Sequence, residues 1–223
     1  MNEIVAFTCT DLYGKRIHDS LSVGMGMNWM HPGVEIYLLR HGETEWNTEG
    51  RLQGQKDSLL TARGREQAGQ LGVALSTRIG SRPLPIHVSP LGRARTTAAI
   101  LRQHLSAPEP VVDARLQEMT LGIWEGLTRA EVNARWNGVI GGDSNAEWWF
   151  LAPGGETYSH FRERVRSWMA EQKGTVIAVS HGITSRMIRG EYLGLSRRER
   201  LSLPVPHGVI WRLAQGAIET IHE

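Results

Sequence analysis

From Val34 onward the chain alternates between short apolar runs and longer stretches whose apolar residues recur every three to four positions. The short runs fall at Glu35–Leu39, Pro85–Val88, Pro110–Val112, Thr175–Val179, Val209–Leu213 and Ala217–Ile221, and their β-branched and aliphatic content predicts strands. Between them, Ala68, Leu71, Leu75 and Ile79 share a helical face behind an N-cap at Thr61, and Tyr158, Phe161, Val165, Trp168 and Met169 share another. Gly92–Leu105, Thr128–Trp136 and Ile183–Leu193 are further predicted helices. Runs as continuously apolar as IYLL and VIAV suit strands covered on both faces, and helix-length crossovers between them imply parallel pairing inside an α/β/α sandwich. Only Ala214-Gln215-Gly216 separates the last two runs, which predicts an edge hairpin.

Residues 1–33 lack this periodicity, and their apolar run IVAF is too short and too poorly flanked for a signal peptide. They are expected to form a peripheral or poorly ordered extension to a domain spanning 34–223, and Met25, Met27 and Met30 are candidate translation starts just ahead of the first strand. A chain of 223 residues buries a full core in one domain without staples. No apolar stretch is long enough to span a bilayer, so no membrane partner is expected. The 25 basic and 23 acidic residues are well mixed, which gives no electrostatic footprint for nucleic acid. The densest basic stretch, Arg197-Arg198-Glu199-Arg200, is read as a solvated helix face. A single cysteine, Cys9, excludes a disulfide framework or a zinc cluster and is treated as inert; it fits a reducing compartment, so a cytoplasmic location is expected. Nothing in the pattern specifies an oligomeric state.

The chemistry gathers where strands end. IYLL runs into Arg40-His41-Gly42, TVIAV into Ser180-His181-Gly182, and PIHV into Ser89-Pro90-Leu91-Gly92-Arg93. In an open parallel sheet, sites form beyond the carboxyl ends of the strands, so these segments are expected to converge, and LQEMTLGIWEG brings Glu118 to the same edge. Two guanidiniums supply forks of donors that match phosphate oxygens. A neutral imidazole at His41 can attack a phosphoryl group, His181 can stabilise the developing charge, and a protonated carboxyl at Glu118 can deliver the proton a leaving alkoxide needs. No cluster of carboxylates for a divalent metal stands out and there is no GxxxxGK[ST] loop, so neither a metal nor another cofactor is expected.

RHGETEWN, LQGQKDSLLTARGREQA, SPLGRARTTA, LQEMTLGIWEG, PGGETYSHF and VSHGITSRM, in that order, resemble the histidine phosphatase superfamily, also called phosphoglycerate mutase-like proteins, over roughly residues 34 to 213. The resemblance implies that His41 becomes phosphorylated, that Arg40, Arg93 and His181 hold the phosphoryl group, that Glu118 is the proton donor, and that Asn47, Gln53 and the N–H of Gly182 contact phosphate. It also implies a mostly parallel six-stranded sheet in a three-layer α/β/α sandwich. LGIWEG is similar to the phosphatase branch, which favours water over a second substrate hydroxyl as the final acceptor. The expected partner is therefore a small-molecule phosphate ester. A mutase and a non-catalytic phosphate-binding or interaction module are the alternatives.

Other residues carry less. Glu125 is assigned a structural role, and His87, His104, His160 and His207 are read as surface or packing residues. The segment WNGVIGGDSNAEWWFLAPGG, from Trp136 to Gly155, is a candidate lid or pocket wall, in which Trp148 and Trp149 either stack on substrate or anchor the loop.

Overall fold

The computed structural model describes residues 30–31, 33–141 and 146–222. Cys9, Met25 and Met27 lie outside the described residues, while Met30 is buried in the core. Six strands, β1 (Glu35–Arg40), β2 (Ile86–Val88), β3 (Val111–Val112), β4 (Thr175–Ser180), β5 (Val209–Ala214) and β6 (Ala217–His222), form one sheet in the order β3-β2-β4-β1-β5-β6. Pairings β1 with β4, β2 with β4 and β2 with β3 are parallel, whereas β5 runs antiparallel to both β1 and β6, as the short 214–216 connection requires.

Alternation along the central strands feeds two cores. Ile36, Leu38, Val176 and Ala178 face one side, under α5 (Tyr158–Ala170) and α6 (Gly182–Tyr192), with Phe161, Trp168, Met187 and Ile188. Tyr37, Leu39, Ile177 and Val179 face the other, under α2 (Ala62–Ile79) and α3 (Gly92–Arg102), with Leu71, Leu75, Ala98 and Leu101. Each fully buried aliphatic side chain contributes about 1.5–3 kcal/mol relative to exposure, so central strands covered on both faces hold the most rigid part of the molecule. Their carboxyl ends are the natural place for a site that needs fixed geometry.

Short helices α1 (Glu45–Thr48), α4 (Arg129–Arg135) and α7 (Arg197–Ser202) complete the set, each opened by a capping box at Thr44, Thr128 and Ser196. Four expectations are corrected. The helix expected to reach Leu105 stops at Arg102, because i→i+3 bonds from Gln103, His104 and Leu105 tighten its end before Pro108. The strands expected from Pro85 and Pro110 start at Ile86 and Val111, since proline has no N–H for the ladder. Arg200 is not part of a solvated face: it is buried and bonds the Glu191 carboxylate, which also receives Arg162. Within the expected lid, residues 146–151 form a 3-10 helix.

Candidate active site

Register brings the motif ends together. Arg40 pairs with Ser180 at the last rung of β1 and β4, His41 N–H donates to Ser180 O at 2.9 Å, and Ser89 N–H donates to Val179 O at 3.1 Å. His41 and His181 therefore leave adjacent strands side by side, with ring centroids 5.2 Å apart. Gly42 permits the turn that follows: a Cβ there would stand 2.2 Å from Gly64 O, and one on Gly64 would stand 2.0 Å from Glu43 O. Only two glycines let the loop after His41 lie against the first turn of α2.

The His41 ring is oriented by its own backbone. Nδ1–H donates to Gly42 O at 2.8 Å, which leaves Nε2 unprotonated and accepting from Arg93 Nε–H at 3.2 Å. Burial, then His181 and the guanidiniums of Arg93 and Arg40, hold the His41 imidazole well below its ordinary 6.5. Burial, Arg93 and Arg40 do the same to His181. Both rings are thus neutral near neutral pH, as a nitrogen nucleophile must be.

The arginines divide their donors differently. Arg93 is locked: NH1 donates to Lys56 O at 2.7 Å and Asp57 at 3.0 Å, and NH2 donates to Gly54 O at 2.8 Å. Asp57 also accepts from the N–H groups of Gly92 and Arg93, capping α3 from a neighbouring loop where the N-cap Leu91 has no side chain to do so. Arg40 is anchored by NH1 on Val205 O at 2.6 Å, while its buried Nε has no partner among the described residues. Burial lowers the Arg40 guanidinium to about 10, so it stays charged. An oxyanion is the ligand that an unsatisfied, desolvated guanidinium calls for.

Asn47 and Gln53 turn their carbonyl oxygens inward. Asn47 Oδ1 accepts from Thr44 N–H and Oγ1, and Gln53 Oε1 accepts from Ser58 Oγ, which leaves both amide nitrogens without a bond among the described residues. Glu118 is buried at the start of α6: Oε2 accepts from Ile183 N–H at 2.9 Å, and Oε1 from Thr184 N–H at 3.0 Å and Thr184 Oγ1 at 2.9 Å. It is therefore also the cap of that helix, and acting on a leaving group requires it to give up some of these donors. Gly182 opens the same helix beside Arg40, since a Cβ on it would stand 3.7 Å from Arg40 Cζ. Glu125 is structural: its Oε1 accepts from Gln55 N–H, Thr120 Oγ1 and Leu121 N–H.

His207, expected as a surface or packing residue, packs beside His41 at the site. His207 Nδ1–H donates to His41 O at 2.9 Å, and its ring centroid lies 5.6 Å from that of His41. It arrives because β5 is antiparallel to β1, so the start of β5 meets the end of β1. The preceding segment is a strap: Leu203 O accepts from Arg186, Pro204 O from Arg189, and Val205 O from Arg40. His87 and His160 match the expectation, the first packed beside Trp168 and the second exposed near Glu156. Trp148 is buried against Trp124, which makes it an anchor, and Trp149 lies under Arg186, 4.8 Å from the guanidinium carbon.

The three depressed imidazoles of the site, with His87 also lowered by burial, have a consequence for folding. Burial and Arg40 lower His207 to about 4, alongside the lowered His41 and His181. Below pH 6.5 the unfolded chain takes up protons at positions where the folded chain does not, so stability is fully present above that pH and is lost as pH falls through the window, down to about 4 for His207. The expected loss is about 1.4 kcal/mol per pH unit for each such histidine, and urea melts at stepped pH should show it. His207→Gln should reduce the slope by about one proton, and an unchanged slope would rule out its contribution.

Among the described residues no group of three or more His, Cys, Asp or Glu is arranged to hold a metal ion, and no helix is long and apolar enough to cross a membrane. Comparison with known proteins gives a consistent picture. A family model for the histidine phosphatase superfamily (branch 1) matches residues 36–216. A protein named probable phosphoglycerate mutase GpmB, from Citrobacter koseri, is 38% identical over 185 residues, covering 75% of this chain and 80% of that protein. The structure of mycobacterial glucosyl-3-phosphoglycerate phosphatase complexed with VO3 is 29% identical, with a TM-score of 0.67 over 85% of this chain and 96% of that one. Bacillus stearothermophilus YhfR is also 29% identical, with a TM-score of 0.69 over 86% and 96%. A putative alpha-ribazole-5'-P phosphatase from Escherichia coli, 23% identical, shares the fold with a TM-score of 0.70 over 86% and 98%. The chain, a sandwich whose strand ends present paired histidines and arginines, belongs to the histidine phosphatase superfamily (branch 1).

Proposed function

We propose that this protein is a metal-independent phosphomonoesterase acting on small phosphorylated metabolites through a phosphohistidine on His41. The observation that carries the reading is the unprotonated Nε2 of a buried, neutral His41, which accepts from Arg93 Nε–H and is flanked by His181 and the unpartnered Nε of Arg40. Nε2 attacks phosphorus, the P–O ester bond breaks, and the leaving alkoxide takes a proton from Glu118. Water then attacks the phosphoryl group, the P–N bond breaks, and Glu118 recovers a proton from that water. Arg40, Arg93 and His181 hold the transferring oxygens, with the amide nitrogens of Asn47 and Gln53 and the N–H of Gly182 as further donors.

The name carried by the curated relatives favours a second reading, phosphoryl transfer between hydroxyls of a phosphoglycerate. One experiment separates the two. Release of inorganic phosphate from a panel of metabolite monoesters, run in EDTA, should proceed at full rate. Interconversion of phosphoglycerates without net phosphate release would select the mutase instead. Activity lost in EDTA and restored by a divalent cation would overturn the metal-free mechanism.

A further inference from the structure

We propose that Ser89 is a positioning residue that fixes the tautomer of His181, so that its Nδ1 presents a proton to the transferring phosphoryl group. The inference rests on the phosphomonoesterase reading for what that proton does, but not for where it sits. His181 is fully buried, and its two ring nitrogens differ sharply: Nε2 lies 2.7 Å from Ser89 Oγ, whereas Nδ1 is buried without a partner among the described residues. A neutral imidazole has one donor and one acceptor, so the question is which nitrogen carries the proton.

Ser89 decides it. Its Oγ accepts from Leu91 N–H at 3.3 Å, and the one acceptor in hydrogen-bond reach of its hydroxyl proton among the described residues is His181 Nε2. The contact could run either way, but only with Ser89 donating is the hydroxyl proton satisfied, so Nε2 accepts and Nδ1 holds the proton. The serine cannot drift, because its N–H is tied to Val179 O at 3.1 Å at the end of the β2–β4 ladder. The outcome is a buried N–H with no acceptor among the described residues, on a ring 5.2 Å from that of His41, where phosphoryl charge develops. A donor left unsatisfied in the free enzyme costs stability and is most useful when the transition state supplies its acceptor. The opposite tautomer would turn a lone pair towards that charge.

The test uses the full chain labelled with 15N-histidine, His181 being assigned by loss of its signals in His181→Asn. Long-range nitrogen–proton correlations should show Nδ1 protonated and Nε2 bare, and the reverse pattern overturns the proposal. In Ser89→Ala the His181 signals should shift towards a tautomer mixture, with kcat down about 10- to 100-fold and KM within about threefold. Binding of vanadate should weaken by a factor similar to that in kcat, while phosphate binding changes little. Ser89→Thr, which keeps the hydroxyl, should restore the tautomer; a Ser89→Ala enzyme with unchanged kcat, or with a loss confined to KM, overturns the assignment. Because the tautomer is read without turnover, an enzyme that hydrolyses no ester would remove the phosphatase reading and still leave this measurement decisive.

Discussion

His41→Ala is expected to lower phosphate release by at least about 10⁴-fold at saturating substrate, and to abolish the acid-labile, base-stable phosphoenzyme that rapid quenching of the native protein should trap. The size follows from what is removed. Nε2 is the unprotonated imidazole nitrogen that accepts from Arg93 Nε–H, and its orientation is fixed by the bond from Nδ1–H to Gly42 O. No neighbour can substitute. His181 has one nitrogen committed to Ser89, and His207 has one committed to the backbone of residue 41. The phosphate-binding donors stay, so the variant should still bind phosphate with an affinity within about tenfold of the native protein, which separates loss of the nucleophile from loss of the fold. Retained turnover would mean that water attacks the ester directly and that no phosphohistidine forms.

The parts of the molecule that could be read from sequence are those in which burial and chemistry coincide. β1 and β4 announce themselves because strands covered on both faces are continuously apolar, and the abrupt change to Arg-His-Gly and Ser-His-Gly marks where the sheet edge begins. Parallel pairing then brings Arg40, His41 and His181 together with no further information. What escaped notice depends on contacts between segments distant in sequence. His207 sits in a Pro-rich stretch with no periodicity, and only the reversed direction of β5 places it beside His41. Asp57 reads as a loop aspartate until α3 is seen to start next to it. Arg186 sits one turn into an apolar helix, and its relation to Trp149 crosses between two elements that no local pattern links. The helix ending at Arg102 was overextended because Gln103, His104 and Leu105 are compatible with a helix, and the tightening comes from bonding geometry rather than composition.

Glu118→Gln is expected to divide substrates by leaving group. Alkyl phosphates leave as strongly basic alkoxides, so losing the acid should cost about 10²- to 10⁴-fold in kcat. p-Nitrophenolate needs no proton to leave, and its ester should lose far less. The position of Glu118 adds a second effect that the design must separate. Its two oxygens accept from Ile183 N–H, Thr184 N–H and Thr184 Oγ1 at the start of α6, and its carboxyl faces the guanidiniums of Arg40, Arg93 and Arg186. Glutamine has one acceptor oxygen where glutamate has two, so at least one of these bonds is lost, at about 1–3 kcal/mol for a buried donor left without an acceptor. That loss shifts α6, with Gly182 and His181 at its start, and lowers turnover of every ester alike. The factor shared by alkyl and p-nitrophenyl esters therefore reports the helix cap, and the ratio between them reports the proton. Equal losses for both would leave Glu118 as a cap alone and require another source for the proton.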